Sequence, residues 1–476
     1  MHHRVLSSAR AVSVACLGLA TGLVGCAGNV PPGTGGADGG VDGNPPPPPP
    51  PPTDAGDPDA PDGPIDPPPP PPEDGGPPDG GDPMGCTGTG DTAQPFGNHA
   101  RRYAGGILPD VPQDDLDDAV VRFYRTWKGR YLKHACGGYY VAYTPNGDTV
   151  SEAHGYGMLI TVIMAGAEPQ ARQIFDGMVD FYNNHRSDIT PALMAWKQHN
   201  CNDVEGANSA TDGDLDIAYA LLLADKQWGS NGARNYRALA EDMIDGLREG
   251  DVDASNRWLL VGDWTGDGGG SDARFHDATR PSDFMPGHLA SFAAVTGSSW
   301  TSLLSSMYGI IGRAQTQLAA STGLVSDFLV HPVGNLDTPD GELLEDDGDD
   351  DYEYNACRVP WRVATHYLTS GDNRSKDIAQ RMNRWVKGAT GGDPGNILAG
   401  YHLNGSPLGN DYTDMAFTAP FGVAAMVDSS NQRWLDDLWD AIESADADGY
   451  YQDSIKLLSM IVMSGNWWTP EAAPCQ

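Results

Sequence analysis

Thr211-Asp212-Gly213-Asp214-Leu215-Asp216-Ile217-Ala218-Tyr219-Ala220-Leu221-Leu222-Leu223-Ala224 decides how this chain folds. From 215 to 224 the segment is apolar on nearly every side, so as a helix it belongs in an interior. Shortly after it, Leu239, Met243 and Leu247 recur at helical spacing, the pattern of a helix with one apolar face. The same alternation runs through the rest of the chain. Further apolar segments lie at 157–165, 284–295, 361–368, 415–427 and 455–463. Between them come one-sided helices marked by Leu116, Val120, Phe123, Trp127 and Tyr131, by Ile174, Met178 and Phe181, and by Trp300, Leu304, Met307 and Ile311. Ile378, Met382 and Trp385 mark another, and Leu435, Leu438 and Ile442 the last. About twelve helices in which buried ones alternate with amphipathic ones are what a double ring requires. The inner set meets neighbours on all sides, and the outer set faces water on one. The expected fold is therefore all-α, a toroid, with short strand-like pieces at 139–143 and 258–261 and one long loop at 334–353.

The residues before this region are of another kind. Residues 31–84 are almost entirely Pro, Gly and Asp, with unbroken Pro at 45–52 and 67–72. Such a segment has too little apolar surface to offset its ordering entropy and reads as a tether. The N-terminus reads as an export signal: Arg4 and Arg10 precede the apolar stretch 11–24, which is short for a membrane span. It closes on Leu23-Val24-Gly25-Cys26, similar to the bacterial lipobox, so Cys26 is the expected lipidation site and first mature residue. The expected domains are a lipoprotein signal at 1–26, a disordered linker at 27–85 and a globular domain at 86–476. The protein is expected outside the cytoplasm, as a lipoprotein on the outer membrane or cell surface or extracellularly, touching a membrane through the anchor only.

Net charge is −36, and the linker contributes eleven acids with no Lys or Arg, leaving about −25 on the remainder. That argues against a nucleic-acid partner, which wants a basic face. A monomer is expected. Five Cys remain after 16 and 26: Cys86, Cys136, Cys201, Cys357 and Cys475. Export permits disulfides, an odd count leaves one thiol free, and Cys86 and Cys475, at the two ends, are a possible pair. The spacing matches no zinc pattern.

Three islands carry chemistry. Ser151-Glu152-Ala153-His154-Gly155-Tyr156-Gly157-Met158 puts a carboxyl at the entrance of an apolar helix, where burial would raise its pKa toward the range of a general acid. A Glu there also suits the helix dipole. The opening segment carries three Asp at alternate positions, more than one cap needs, and Asp212 and Asp216 share a face. Tyr354-Asn355-Ala356-Cys357-Arg358-Val359-Pro360-Trp361-Arg362 sets two arginines one turn apart among aromatics. It follows the ten acids of 337–353, a run that does not match EF-hand spacing. Trp127, Trp196, Trp228, Trp258, Trp264 and Trp361 are more tryptophan than a core of this size needs, and sugar rings stack on such faces.

Together these islands resemble glycoside hydrolase family 8. The signature is 210–228, Ala210-Thr211-Asp212 through Lys226-Gln227-Trp228. Ser151-Glu152 with Tyr156-Gly157-Met158 is similar to the family's proton-donor segment, and Leu193-Met194-Ala195-Trp196-Lys197 and Arg280-Pro281-Ser282-Asp283-Phe284 resemble two others. The resemblance spans about 94–468. It implies an (α/α)6 barrel, inversion at the anomeric carbon and no cofactor or metal. Much of the family carries its base as Asp in Tyr-Asp-Ala, where this chain has Asn355, which cannot take a proton at neutral pH. A second branch, with chitosanases and mixed glucanases, has Tyr-Asn-Ala-Cys-Arg and takes its base from a Glu about ten residues earlier, which here is Glu345. Leu343 and Leu344 would seat that loop, and Asp346 and Asp347 would raise the pKa of Glu345. A lesser departure is Ala153, where the family usually has Gly.

The resemblance thus implies Glu152 as acid and Glu345 as base, about 6.5–9.5 Å apart as inversion requires. Asp212 would hold the distorted sugar and help to place the water, and Asn355 and Arg358 would orient the water or Glu345. Trp196, Trp264, Tyr354 and Tyr412 would bind neighbouring sugars. Expected substrates are β-1,4-linked glucans, cellulose or mixed-linkage, with chitosan as the alternative and xylan a further family substrate. A non-catalytic surface carbohydrate binder, its base lost at Asn355, is the reading from another class.

Overall fold

The computed structural model describes residues 92–99, 103–255, 257–265 and 273–471. The signal, Cys26, the linker, Cys86 and Cys475 lie outside the described residues.

The helices are α1 (Gln113–Tyr131), α2 (Ser151–Ile163), α3 (Ala171–Asn184), α4 (Thr211–Trp228), α5 (Tyr236–Gly250), the single turn α6 (Ala273–His276), α7 (Pro286–Thr296), α8 (Ser298–Arg313), α9 (Val359–Ser370), α10 (Asn373–Ala389), α11 (Met415–Ala425), α12 (Gln432–Ser444) and α13 (Tyr450–Met463). Setting α6 aside, twelve helices alternate as the sequence pattern requires. In α4 every residue from Thr211 to Ala224 is buried, and α2, α11 and α13 are nearly as enclosed. In α3 only the stripe Ile174, Phe175, Met178, Val179, Phe181 and Tyr182 is buried, apart from Ala171 at its start.

Contacts close the ring: α2 packs on α4, α4 on α7, α7 on α9, α9 on α11, α11 on α13, and α13 back on α2. Each outer helix leans on an inner one: α3 on α2, α5 on α4, α8 on α7, α10 on α9, α12 on α11, and α1 on α13. The molecule is an (α/α)6 barrel. Because outer helices return the chain each time, the six inner helices run parallel and present their N-terminal ends at one mouth.

Two glycines set the tightest inner crossing. A Cβ at Gly213 would stand 2.6 Å from the Cβ of Ser151, and one at Gly155 would stand 2.7 Å from the Cβ of Asp216. Only glycine lets α2 and α4 approach this closely, and the approach sets Glu152 beside Asp212.

Strands are few and short. β1 (Leu132–Ala135) and β2 (Gly138–Val141) form an antiparallel hairpin, covering most of the expected strand at 139–143. β3 (Thr149–Val150), β4 (Lys197–His199) and β5 (Asn202–Asp203) form a small antiparallel sheet, and β6 (Ala278–Thr279) pairs with β7 (Leu329–Val330). The strand expected at 258–261 does not form. The Asp253 carboxylate takes the Trp258 amide at 2.9 Å, leaving one isolated bridge, Val252 with Leu259. A disulfide joins Cys136 to Cys201, tying the β1–β2 turn to the β4–β5 turn, and Cys357 is buried and free. Trp127 and Trp361 are fully buried and serve the core rather than a sugar. Among the described residues no helix is long and apolar enough to cross a membrane.

Candidate active site

The chemistry gathers at the mouth where the inner helices begin. Glu152 lies in the first turn of α2 and Asp212 in the first turn of α4. Arg358 immediately precedes α9, and Tyr450 is the first residue of α13. Arg280 and Ser282 come just before α7, and Asp414 caps α11. Six parallel helix N-termini favour negative charge at this mouth.

Arg358, 1% exposed, is the hub. Its Nη1 donates to Glu152 Oε2 and to Asp212 Oδ2, each at 2.8 Å. Its Nη2 donates to Ser282 Oγ at 2.9 Å and to Asn355 Oδ1 at 2.7 Å. That last bond fixes the amide. A guanidinium only donates, so the Asn355 oxygen must face it and the Asn355 nitrogen must face away. The nitrogen donates to Glu345 Oε2 at 2.9 Å. Arg280 closes the circuit from the other side, 3.1 Å from Asp212 Oδ1 and 3.8 Å from Glu345 Oε1. Glu152, Asp212 and Glu345 thus stand in one frame built on two arginines. An Asp at 355 would press a second carboxylate against Glu345, so Asn at 355 and Glu at 345 are complementary choices.

The frame sorts the three carboxyls by charge. Burial pushes Glu152 up to about 7, with nearby Asp212 adding to the rise while Arg358, the Tyr450 hydroxyl and Arg280 oppose it. Tyr450 donates to Glu152 Oε1 at 3.0 Å. Burial would raise Asp212 too, but Arg280 and Arg358 more than offset it and hold that carboxyl at about 2. Glu345 is raised by burial, against the pull of Arg280 and the Asn355 bond. Of the nearby acids, Asp349 adds most to that rise. The arrangement sets side by side one carboxyl able to hold a proton near neutral pH, one held as an anion and one raised by burial.

The loop that delivers Glu345 is seated by Leu343, buried in a small apolar cluster with Val261, Ala278 and Phe328, with Leu344 packed against it. Trp264 and Phe275 border the same cluster, ring centroids 4.9 Å apart. Of the expected sugar platforms, Tyr354 and Tyr412 touch through their hydroxyls at 3.1 Å, and Tyr412 is 44% exposed. Trp196 shows 9% of its surface, and its indole nitrogen donates to Glu205 O at 3.2 Å. Among the described residues no group of His, Cys, Asp and Glu is arranged to hold a metal ion.

Arg280, Ser282, Tyr450, Asp327 and Asp349 belong to the site although sequence reading gave them no role. For Arg280, Ser282 and Tyr450 a signal existed, since each sits at or just before the start of an apolar helix, as Glu152 and Asp212 do.

A barrel of paired helical rings with three carboxyls held on two arginines at its mouth is the architecture of a glycoside hydrolase, and comparison with known proteins places the chain in that class. The profile of Glycosyl hydrolases family 8 matches residues 121–465. A beta-glucanase of Niallia circulans is 47% identical over 380 residues, covering 79% of this chain and 91% of that protein. An endoglucanase of Bacillus sp. strain KSM-330 is 39% identical, covering 77% of this chain and 80% of that protein. Among solved structures, the apo beta-1,3-1,4-glucanase of Paenibacillus sp. X4 superposes with a TM-score of 0.76 at 46% identity, covering 79% of this chain and all of that one. The chain belongs to glycosyl hydrolase family 8.

Proposed function

We propose that this chain is an endo-acting, inverting β-glucanase that cuts β-1,4 linkages in cellulose or mixed-linkage glucan. The observation that carries it is the bond from Asn355 Nδ2 to Glu345 Oε2, which supplies a base where position 355 has none and ties it through Arg358 to Glu152. Glu152, raised to about 7, donates its proton to the leaving oxygen. Glu345 takes a proton from the water that attacks the opposite face of the anomeric carbon. Asp212, ionised between two arginines, holds sugar hydroxyls at the cleavage point. Trp264, Tyr354 and Tyr412 carry neighbouring sugars, with the exposed edge of Trp196 at the margin. The names of the similar proteins support glucan over chitosan. The acidic loop, with Asp346, Asp349, Asp351 and Glu353 grouped behind Glu345, is the feature that favours a cationic glucosamine polymer.

A side-by-side assay of lichenan, carboxymethylcellulose, chitosan and xylan, following reducing ends and the first-formed anomer by NMR, tests this. Glucan cleaved to the α-anomer is expected. Binding of all four without cleavage would leave the non-catalytic reading, and chitosan cleaved fastest would transfer the substrate to the alternative. We further propose export through residues 1–26, lipidation at Cys26 and a tether at 27–85 that carries a monomeric domain at 86–476 away from the membrane. Cys26→Ala should move the protein from the membrane fraction to the soluble one, and retention in the membrane would sink the anchor.

A further inference from the structure

Asp349 is 1% exposed in the middle of an acidic loop, where a solvated side chain would be expected. Its carboxylate is enclosed by backbone. Oδ2 accepts from the amides of Leu343 at 2.8 Å, Leu344 at 2.7 Å and Glu345 at 3.0 Å, and Oδ1 lies 3.4 Å from the amide of Asp346. Four successive N–H groups converging on one anion fix the path of the backbone across them, and each such bond to a charged acceptor is stronger than its neutral counterpart. The middle of that stretch is Glu345. Asp349 is itself pinned from behind, because its carbonyl accepts from Phe328 N at 3.0 Å.

A second buried carboxyl, pushed well above the ordinary range by burial, fixes the other partner of Glu345. Asp327 accepts from the amides of Glu353 at 2.9 Å, Asn355 at 2.9 Å and Ala356 at 2.7 Å. Asp327 and Phe328 are consecutive, so both carboxyl groups are referred to one short segment. The two staples meet in the bond between Glu345 and Asn355.

We infer that Asp349 is a positioning residue for the hydrolytic step, a carboxylate staple that places Glu345 against Asn355 and the attacking water. This rests on the reading of Glu345 as the base. Asp349 lies behind the loop backbone and reaches the reaction only through Glu345. Among the described residues the charged and titratable groups facing Glu345 include Arg280, Arg358, Asp349, Asp327 and Glu353, so removing one anion also changes the proton affinity of Glu345.

Two substitutions separate staple from scaffold. Asp349→Ala removes every bond to the loop. It should lower kcat on the order of 10²-fold, the effect of displacing a catalytic group by about an ångström, with KM changed less than about threefold. Asp349→Asn keeps an acceptor for the three shorter bonds and removes the charge, so it folds where the alanine variant fails. Its rate should stay within about tenfold of the parent, and its acid limb in the kcat–pH profile should move to lower pH, because Glu345 loses a neighbouring anion. The same two changes in Glu345→Ala, with azide restoring turnover, should alter the restored rate less than about threefold, since their target is gone. Equal losses in both backgrounds would overturn the proposal, as would a parental rate and an unmoved acid limb in both single variants. If Glu345→Ala alone keeps its activity, the base assignment fails first, which is a separate result.

Discussion

Asp212 and Asp214 are two residues apart at the head of α4, both buried, and their fates are opposite. Asp212 meets Arg280 on one oxygen and Arg358 on the other, and its carboxyl is held low despite burial. Asp214 points away from the mouth toward Asp251 and Asp263. Its Oδ1 accepts from Met194 N at 2.9 Å, and its Oδ2 has no hydrogen-bond partner among the described residues. No Lys or Arg pairs with Asp214, Asp251 or Asp263 among the described residues. Burial, with the charge of Asp251 behind it, pushes the Asp214 carboxyl well up. Asp216, two residues further, is paired bidentately with Arg362 at 2.8 and 2.6 Å and with His288 at 2.8 Å. One run of alternating acids therefore supplies a site anion, a core acid that burial pushes toward its neutral form and a sealed ion pair. Depth in the protein does not distinguish them, and the cations within reach do.

The largest expected effects lie inside the arginine frame. Glu345→Gln should lose at least ~10³-fold in kcat and Glu152→Gln at least ~10², while both still bind substrate. Glu342→Gln, in the same acidic run but outside the frame, should be near parental. Asp214→Asn should stay within about threefold, since an amide replaces a carboxyl that burial favours in its neutral form. The contrast also has a pH signature. With Glu345 as the proposed base and Glu152 as the proposed acid, kcat/KM should rise above the ordinary Glu range and fall again through about 7. The residual rate of Glu152→Gln should lack the alkaline limb. A variant of Asp214 as inactive as Glu152→Gln, or an alkaline limb that survives without Glu152, would erase the distinction between the two environments. If Asp212→Asn were dead while Glu345→Gln kept its rate, the base would be Asp212.

How far the sequence carried this result depends on what each feature is made of. The barrel was legible because its information is periodic: residues 215–224 are apolar all round and 239–247 on one side, and that difference alone assigns inner and outer rings. Glu152 and Asp212 were legible because polar residues at the head of an apolar helix are out of place. Applied throughout, the same rule would have found Tyr450. Glu345 came only from resemblance and a ten-residue count, since nothing in a run of ten acids marks one as the base. Asp327 and Asp349 were hidden because their partners are main-chain amides, which every residue possesses and only the loop conformation aims. The Cys136–Cys201 bond was hidden for a similar reason, as it joins two hairpin turns 65 residues apart in sequence. The strand expected at 258–261 failed where one side chain, Asp253, took the amide that a ladder needed.

The smallest effect tests the buried acids away from the arginines, and its sign follows from proton linkage. Burial, with Asp263 adjacent, raises Asp251 well above the ordinary carboxylate range, and Asp214 is raised likewise. Burial brings Asp283 to about 7 despite its contact with Arg280. A carboxyl that is protonated when folded and ionised when unfolded gives the folded state extra bound protons, so stability falls as pH rises between the two pKa values. Asp212 works in the opposite sense. Its contribution is full above the ordinary carboxylate pKa and is lost only as pH falls toward 2. Thermal stability should therefore be greatest near pH 5 and decline toward pH 8. Asp251→Asn should flatten that decline, since an amide stays neutral at both pH values. It should be close to neutral at pH 5 and stabilising at pH 8, read as a Tm above the parent's at that pH. Asp212→Asn should leave the decline between pH 5 and 8 as steep as in the parent, because that carboxyl is ionised throughout. Melting curves of the three proteins at pH 5, 6, 7 and 8 decide the matter. An Asp251→Asn slope identical to the parent's would mean that this cluster carries no proton, and that the acids of α4 are not sorted by the cations around them.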